Sequence, residues 1–174
     1  RGTVTVDVDA NVVSDAAGNN NTAAVQATQV FDSRTSIELS DVAAGNGGFA
    51  IYGETIGHNS GYSVSSAGDV NGDGIDDLII GAYGVDANGD RSGSTYVVFG
   101  KEIYNSPIQL SDIADGTGGF VIHGESMNDQ SGWSVSSAGD MNGDGLSDLI
   151  IGSLSAGKTY VVFGKGGLQI ADRP

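Results

Sequence analysis

An all-β fold of repeated four-stranded antiparallel units is what this sequence predicts, and three observations predict it. Segments of up to nine residues recur along its 174 residues at a constant offset of 71 positions. Short β-branched and aromatic runs, TYVVF at 95–99 and again at 159–163, are separated by glycine-rich stretches, the pattern of strands joined by turns. Helical periodicity is absent from almost the whole chain, which leaves sheet faces as the place to bury its apolar residues.

The elements follow in chain order. Val4, Val6 and Val8 alternate with Thr and Asp, which predicts a strand with one exposed face. SDAAGNNN at 14–21 predicts a turn and residues 25–31 a second strand, so the chain opens with a short β-hairpin-like segment. Two strands alone cannot make a stable sandwich. The repeat begins beyond them. IELSD at 37–41 matches IQLSD at 108–112, and residues 37–43 and 108–114 each predict one helical or irregular turn. GGFAI at 47–51 matches GGFVI at 118–122, and GYSVSSAGD at 61–69 matches GWSVSSAGD at 132–140. TYVVFGK at 95–101 matches 159–165 at an offset of 64, so seven residues are missing from one hairpin. The long version, 84–93, is turn-rich and holds Asp86, Asn88 and Asp90, whereas the short one is 153–157.

The first repeat thus predicts four strands, at 62–67, 77–81, 95–99 and 120–123. Four short strands recurring every 60 to 70 residues with a glycine signature are what propeller blades look like in sequence. The chain divides into residues 1–34, a first repeat at 35–107, and a second at 108–174 whose last part, 167–170, starts a further repeat.

Each repeat carries one acidic loop, DVNGDGIDD at 69–77 and DMNGDGLSD at 140–148. Oxygen side chains at positions one, three and five (Asp69, Asn71, Asp73; Asp140, Asn142, Asp144) are half of a hard-cation cage, since Ca²⁺ takes six to eight oxygens. Gly74 and Gly145 permit the sharp turn that aims the carbonyl of Ile75 or Leu146 at the ion. Asp77 or Asp148 closes the site at position nine. An EF-hand needs Glu at position twelve, and here that position is Ile80 or Ile151. The competing reading is that Asn-Gly and Asp-Gly are only hairpin turns. Three carboxylates in one loop repel each other unless a cation lies between them, which favours two Ca²⁺ sites.

With these motifs in place, residues 36–165 resemble the FG-GAP repeats of integrin α-subunit β-propellers. The elements that carry the resemblance are Phe99-Gly100 and Phe163-Gly164, the GYSV and GWSV strand starts, the acidic loops, and Gly81-Ala82-Tyr83. The second repeat departs at Gly152-Ser153-Leu154. The resemblance implies that the loop joins the first two strands of a blade and that Asp69, Asn71, Asp73, the Ile75 carbonyl and Asp77 ligate calcium, with Asp140, Asn142, Asp144, Leu146 and Asp148 as the second set. Residues 1–31 resemble the last strands of the Ig-like repeats of large bacterial surface adhesins.

Composition excludes several functions. With 22 acidic against 7 basic residues the net charge is −15, which repels a phosphate backbone and acidic membranes. No Cys is present, so any staple must come from metal or from neighbouring domains. No apolar stretch approaches the ~20 residues that span a bilayer. The opening at Arg1, without a signal peptide, is expected of an interior piece of a longer, exported protein. GSLSAGKT at 152–159 satisfies the phosphate-loop pattern, but a strand-like YVVF follows where a helix N-terminus is required. No Cys nucleophile or G-x-S-x-G elbow occurs, and His58 and His123 fall at unrelated repeat positions. Tyr62 and Trp133, at equivalent positions, are expected to pack between blades rather than to stack on a sugar.

Two repeats do not close a propeller of four to eight blades. Residues 49–52 are expected as the outer strand of a preceding blade, and residues 133–163 as a blade without one. Self-association through exposed blade edges, or the 49–52 strand folding round to complete the second blade, follows. The functional expectation is a non-enzymatic, calcium-binding extracellular adhesion module for a protein or glycan. The alternative is a structural spacer, or the accessory propeller of a secreted enzyme whose catalytic domain lies elsewhere.

Overall fold

Glycine-punctuated strands too short to bury a face singly are assembled here into twisted sheets that bury one another. The computed structural model of the chain describes residues 2–6, 27–31, 36–102, 104 and 107–167. Two compact units divide it, residues 1–41 and 42–174. In the first, β1 (Gly2–Val6) pairs antiparallel with β2 (Ala27–Phe31), Gly2 opposite Phe31 and Val6 opposite Ala27. Val8, the turn at 14–21, Val25 and the linker at 32–34 lie outside the described residues, as do positions 168–170 of the further repeat.

The two expected helical turns form as α1 (Leu39–Ala43) and, later in the chain, α2 (Leu110–Ala114). Between them run β3 (Ile51–Tyr52), a 3-10 turn at Ile56–His58, β4 (Ser63–Gly68), β5 (Asp77–Ala82), β6 (Ser94–Val98) and β7 (Ile108–Gln109). β8 (Gly119–His123) follows α2. β4-β5-β6-β8 is one antiparallel four-stranded sheet, the first blade, with its strands within a residue or two of the predicted bounds. The second blade, β9 (Ser131–Gly139), β10 (Asp148–Ser153) and β11 (Lys158–Val162), has three strands in the order β11-β10-β9.

The first blade is covered on one face and, with Val64 and Leu78 left exposed, over part of the other, which is why β5 is a near-continuous apolar run rather than an alternating one. Ile79, Val97 and Phe99 point to one side and share a core with Val135, Leu149 and Ile151 of the second blade. Ile80, Tyr96 and Val98 point to the other, where Leu110 and Ile113 of α2 and Ile51 of β3 cover them. Burying each such side chain contributes about 1.5–3 kcal/mol, so these two layers hold a sheet that no disulfide supports.

β3 packs in that second layer and pairs in parallel with β7, Ile51 beside Ile108 and Tyr52 beside Gln109. It therefore takes the place expected of a preceding blade's outer strand. It does not fold round to the second blade, because it and the second blade lie on opposite faces of the first.

The long hairpin at 84–93 braces the crossover between blades. The Asn88 side-chain amide donates to Gly124 O at 2.8 Å, Asn128 N–H to Asp90 O at 2.7 Å and Gln130 N–H to Arg91 O at 3.0 Å.

Candidate metal centres

Both acidic loops are hairpins between the first two strands of a blade, 69–76 between β4 and β5 and 140–147 between β9 and β10. Each is launched from a β-bulge. Opposite Leu78 and Asp77 stand Ser66 and Gly68, so Ala67 is the extra residue, and Ala138 takes the same part between Ser137 and Gly139. A bulge bends and re-aims the strand that carries it, here toward the loop.

Within the first loop, Asp69 gathers the turn around its carboxylate. One oxygen accepts Gly72 N–H at 2.7 Å and Asp73 N–H at 3.2 Å, and the other accepts Gly74 N–H at 2.9 Å. Asn71 Oδ1 accepts Asp73 N–H at 2.9 Å, its amide donates to Asp73 Oδ2 at 3.0 Å, and Asp73 Oδ1 accepts Ile75 N–H at 2.8 Å. Gly74 sits at φ +87°, which an L side chain rarely adopts, as its place in the turn predicts. The second loop repeats this set bond for bond, from Asp140 to Gly143, Asp144 and Gly145 and on through Asn142, Asp144 and Leu146.

Asp77 and Asp148 are different in kind, being wholly buried. The Asp77 oxygens accept Val70 N–H at 3.0 Å and Gly100 N–H at 2.8 Å. Those of Asp148 accept Met141 N–H at 2.7 Å and Gly164 N–H at 2.9 Å. Sequence reasoning singled out Phe99-Gly100 and Phe163-Gly164 as motif letters without seeing this role. The glycine at the end of the third strand clamps the closing carboxylate of the loop, and it must be glycine: a Cβ on Gly100 would meet Asp76 O, and one on Gly164 would lie 2.6 Å from Ser147 O.

Burial pushes the Asp77 carboxyl above the usual Asp range, and the charges of Asp73 and Asp69 push it the same way, while the Gly100 and Val70 amides oppose the shift. Three carboxylates thus share one electrostatic neighbourhood. Among the described residues no three His, Asp or Glu side chains gather into a metal cluster. The three Asp of each predicted set, Asp69, Asp73 and Asp77 or Asp140, Asp144 and Asp148, are therefore not gathered around one point, and the other two predicted donors are a carboxamide oxygen and a main-chain carbonyl. All five are oxygens, which suits a hard cation such as Ca²⁺ and does not suit zinc.

The first loop is also tied to the second blade. Asp69 O accepts Ser147 N–H at 2.9 Å, Val70 O accepts Lys165 N–H at 2.9 Å and Asn71 O accepts Gly167 N–H at 3.3 Å.

At the other end of the β4–β5 hairpin, Tyr62, Tyr83 and Trp133 form one aromatic cluster with centroids 4.6 to 4.8 Å apart. Tyr62 and Trp133 come from different blades, the expected packing between repeats, and Tyr83 joins them. Gly152 to Thr159 spans the β10–β11 hairpin, and Lys158 opens a strand and pairs with Glu125, so no helix N-terminus follows the phosphate-loop pattern. His123 shares a hydrogen bond with Ser94, and His58 lies 3.9 Å from Glu54.

Comparison with known proteins places both loops inside recognised repeats. The FG-GAP repeat family matches residues 60–98 and 131–164. Integrin alpha pat-2 of Caenorhabditis briggsae is 29% identical over 121 residues, covering 67% of this chain and 9% of that protein. Integrin alpha-E of Mus musculus is 35% identical over 102 residues, 53% of this chain and 8% of that protein. Phosphatidylinositol-glycan-specific phospholipase D of Dictyostelium discoideum is 30% identical over 116 residues, 61% of this chain and 12% of that protein. The chain spans about a tenth of the length of the curated relatives it matches. The FG-GAP repeats and the integrin α homologues together support an integrin-like propeller region.

Proposed function

We propose that this integrin-like propeller region is a calcium-binding adhesion module that works outside the cell, on a protein or glycan ligand and without catalysing a reaction. One observation carries the calcium reading: an all-oxygen donor set is duplicated 71 residues apart with the same hydrogen bonds in each copy. A turn needs two residues of the nine, whereas positions one, three, five and nine carry oxygen side chains in both loops. Asp69, Asn71, Asp73, the Ile75 carbonyl and Asp77 would hold one ion, and Asp140, Asn142, Asp144, the Leu146 carbonyl and Asp148 the other. Bound calcium supplies positive charge where carboxylates crowd, and it stiffens the β4–β5 and β9–β10 hairpins.

Recognition of a protein or glycan ligand falls to a face of the propeller, while Tyr62, Tyr83 and Trp133 pack against one another between the blades. The excess of acid over base weighs against nucleic acid as a partner. Among the described residues no helix is long and apolar enough to cross a membrane. The setting we propose is a bacterial surface adhesin in which residues 1–34, represented by the β1–β2 pair, are the end of an Ig-like domain.

Similarity to a phospholipase D favours a second reading, the accessory propeller of a secreted enzyme. A catalytic domain adjoining these residues in the full reading frame would establish it.

Calorimetric titration with calcium, paired with thermal melts in calcium and in chelator, tests the first reading. Two sites per chain and a higher melting temperature in calcium support it. A folded protein that gives no heat of binding and melts alike in both conditions overturns it.

A further inference from the structure

An asparagine followed by glycine is open to attack by its own main chain. The nitrogen of the following residue can close on the side-chain carbonyl carbon, and glycine puts no Cβ in its way. Four such pairs fall among the described residues: Asn46-Gly47, Asn71-Gly72, Asn88-Gly89 and Asn142-Gly143. The fold treats them unequally.

Both pairs in the acidic loops are locked. Gly72 N–H donates to the Asp69 carboxylate at 2.7 Å, and Gly143 N–H to that of Asp140 at 2.7 Å. The attack requires that this proton be lost, and a carboxylate accepting the N–H opposes its loss. The Asn71 and Asn142 side chains are also held, each by both of its polar atoms, forward on Asp73 and Asp144. Asn88 is tied elsewhere, its amide donating to Gly124 O at 2.8 Å, while Gly89 N–H donates to Asp86 O at 3.4 Å. Asn46 has no such restraint. It is exposed, and no hydrogen bond engages its side chain or Gly47 N–H among the described residues. It stands between Gly45 at φ +85° and Gly47 at φ +81°, and a Cβ on either would meet nothing within 4 Å. Thr117 holds the equivalent place in the second repeat, also exposed, and has no amide to lose.

We propose that Asn46 is a site of spontaneous covalent modification, the Asn-Gly pair that the fold leaves free to deamidate. Base removes the Gly47 N–H proton, the nitrogen bonds to Cγ of Asn46, and the bond from Cγ to the side-chain nitrogen breaks, releasing ammonia. Water then opens the cyclic imide. Opening at Cγ leaves an ordinary aspartate, whereas opening at the main-chain carbonyl leaves an isoaspartate, whose main chain runs through the side-chain carbon. Water is the sole co-reactant, and nothing is oxidised or reduced. Either product adds one negative charge just ahead of Phe49, whose ring stacks on Tyr104 with centroids 4.0 Å apart. The selectivity follows from hydrogen bonds that the chain makes with itself, independently of what the loops bind.

The test ages the full chain in chelator at neutral and mildly alkaline pH and follows each asparagine by peptide mapping with mass spectrometry. Asn46 should convert at least about tenfold faster than Asn71, Asn88 and Asn142, because each of those must first break a hydrogen bond. Its rate should rise with pH. In urea, where the fold holds none of them, the four rates should converge. Gly47→Ala should slow conversion at Asn46 at least about tenfold by shielding the attacking nitrogen, with circular dichroism unchanged because the added methyl meets no neighbour. Conversion of Asn71, Asn88 or Asn142 as fast as Asn46 in the folded chain overturns the proposal. So does an Asn46 that stays intact in the folded chain and reacts in urea. A ranking in urea identical to that of the folded chain assigns the selectivity to local sequence and overturns it as well.

Discussion

Replacing Asp77 by Ala separates what the loop's closing carboxylate does for the fold from what it does for a metal. The carboxylate is fully buried and holds two main-chain amides, Val70 N–H at 3.0 Å and Gly100 N–H at 2.8 Å. Alanine leaves both donors buried without an acceptor, at roughly 1–3 kcal/mol each, or about 2–6 kcal/mol in all. That is a large part of the roughly 5–15 kcal/mol that holds a typical domain folded. At roughly 3–4 °C per kcal/mol for a unit of this size, the melting temperature should fall by about 6–24 °C. Thermal melts followed by circular dichroism in chelator measure this term alone, because no ion is then lost. The relief of crowding with Asp73 and Asp69 works in the opposite direction and places the result toward the lower end of that range. A variant that melts within about 2 °C of the parent in chelator would refute the assignment of Asp77 as the clamp between loop and third strand.

Asp73→Ala and Asp144→Ala remove exposed carboxylates that each hold one loop amide and one Asn side chain. Each should abolish or weaken one calcium site by calorimetry and lower the melting temperature in calcium, with a loss of no more than about 1 kcal/mol in chelator. Gly164→Ala forces a Cβ against Ser147 O at 2.6 Å and should cost about 1–3 kcal/mol in urea melts, in calcium and in chelator alike. Tyr96→Phe deletes the 3.0 Å hydrogen bond to Glu54 and keeps the ring buried, so its cost by the same assay should be about 0.5–1.5 kcal/mol.

The blades were legible in the sequence because a repeat states its own register. Residues 62–67 and 133–138 differ at one position, so both copies had to be the same strand, and β4 and β9 are. The loops were legible as turns because Asn-Gly and Asp-Gly recur at the same places in both repeats, and both loops are hairpins between the first two strands of a blade. The clamp was not, since Gly100 meets Asp77 across 23 positions and a glycine amide leaves no mark on composition. The bulge at Ala67 escaped for a related reason, being a property of two strands at once, so neither strand alone announces it. The parallel β3–β7 pair, two residues long, is set by the packing of Ile51 and Ile108 rather than by any local pattern.

The long hairpin at 84–93 acquires a mechanical meaning if these blades hold a partner under tension. A pull transmitted along the chain from the first blade to the second passes through residues 124–130, and there the load is shared with the hairpin through Asn88, Asp90 and Arg91. The corresponding hairpin of the second repeat is seven residues shorter. Among the described residues, the joint between the two blades is therefore stiffened against such a pull by bonds that lie outside the strands themselves.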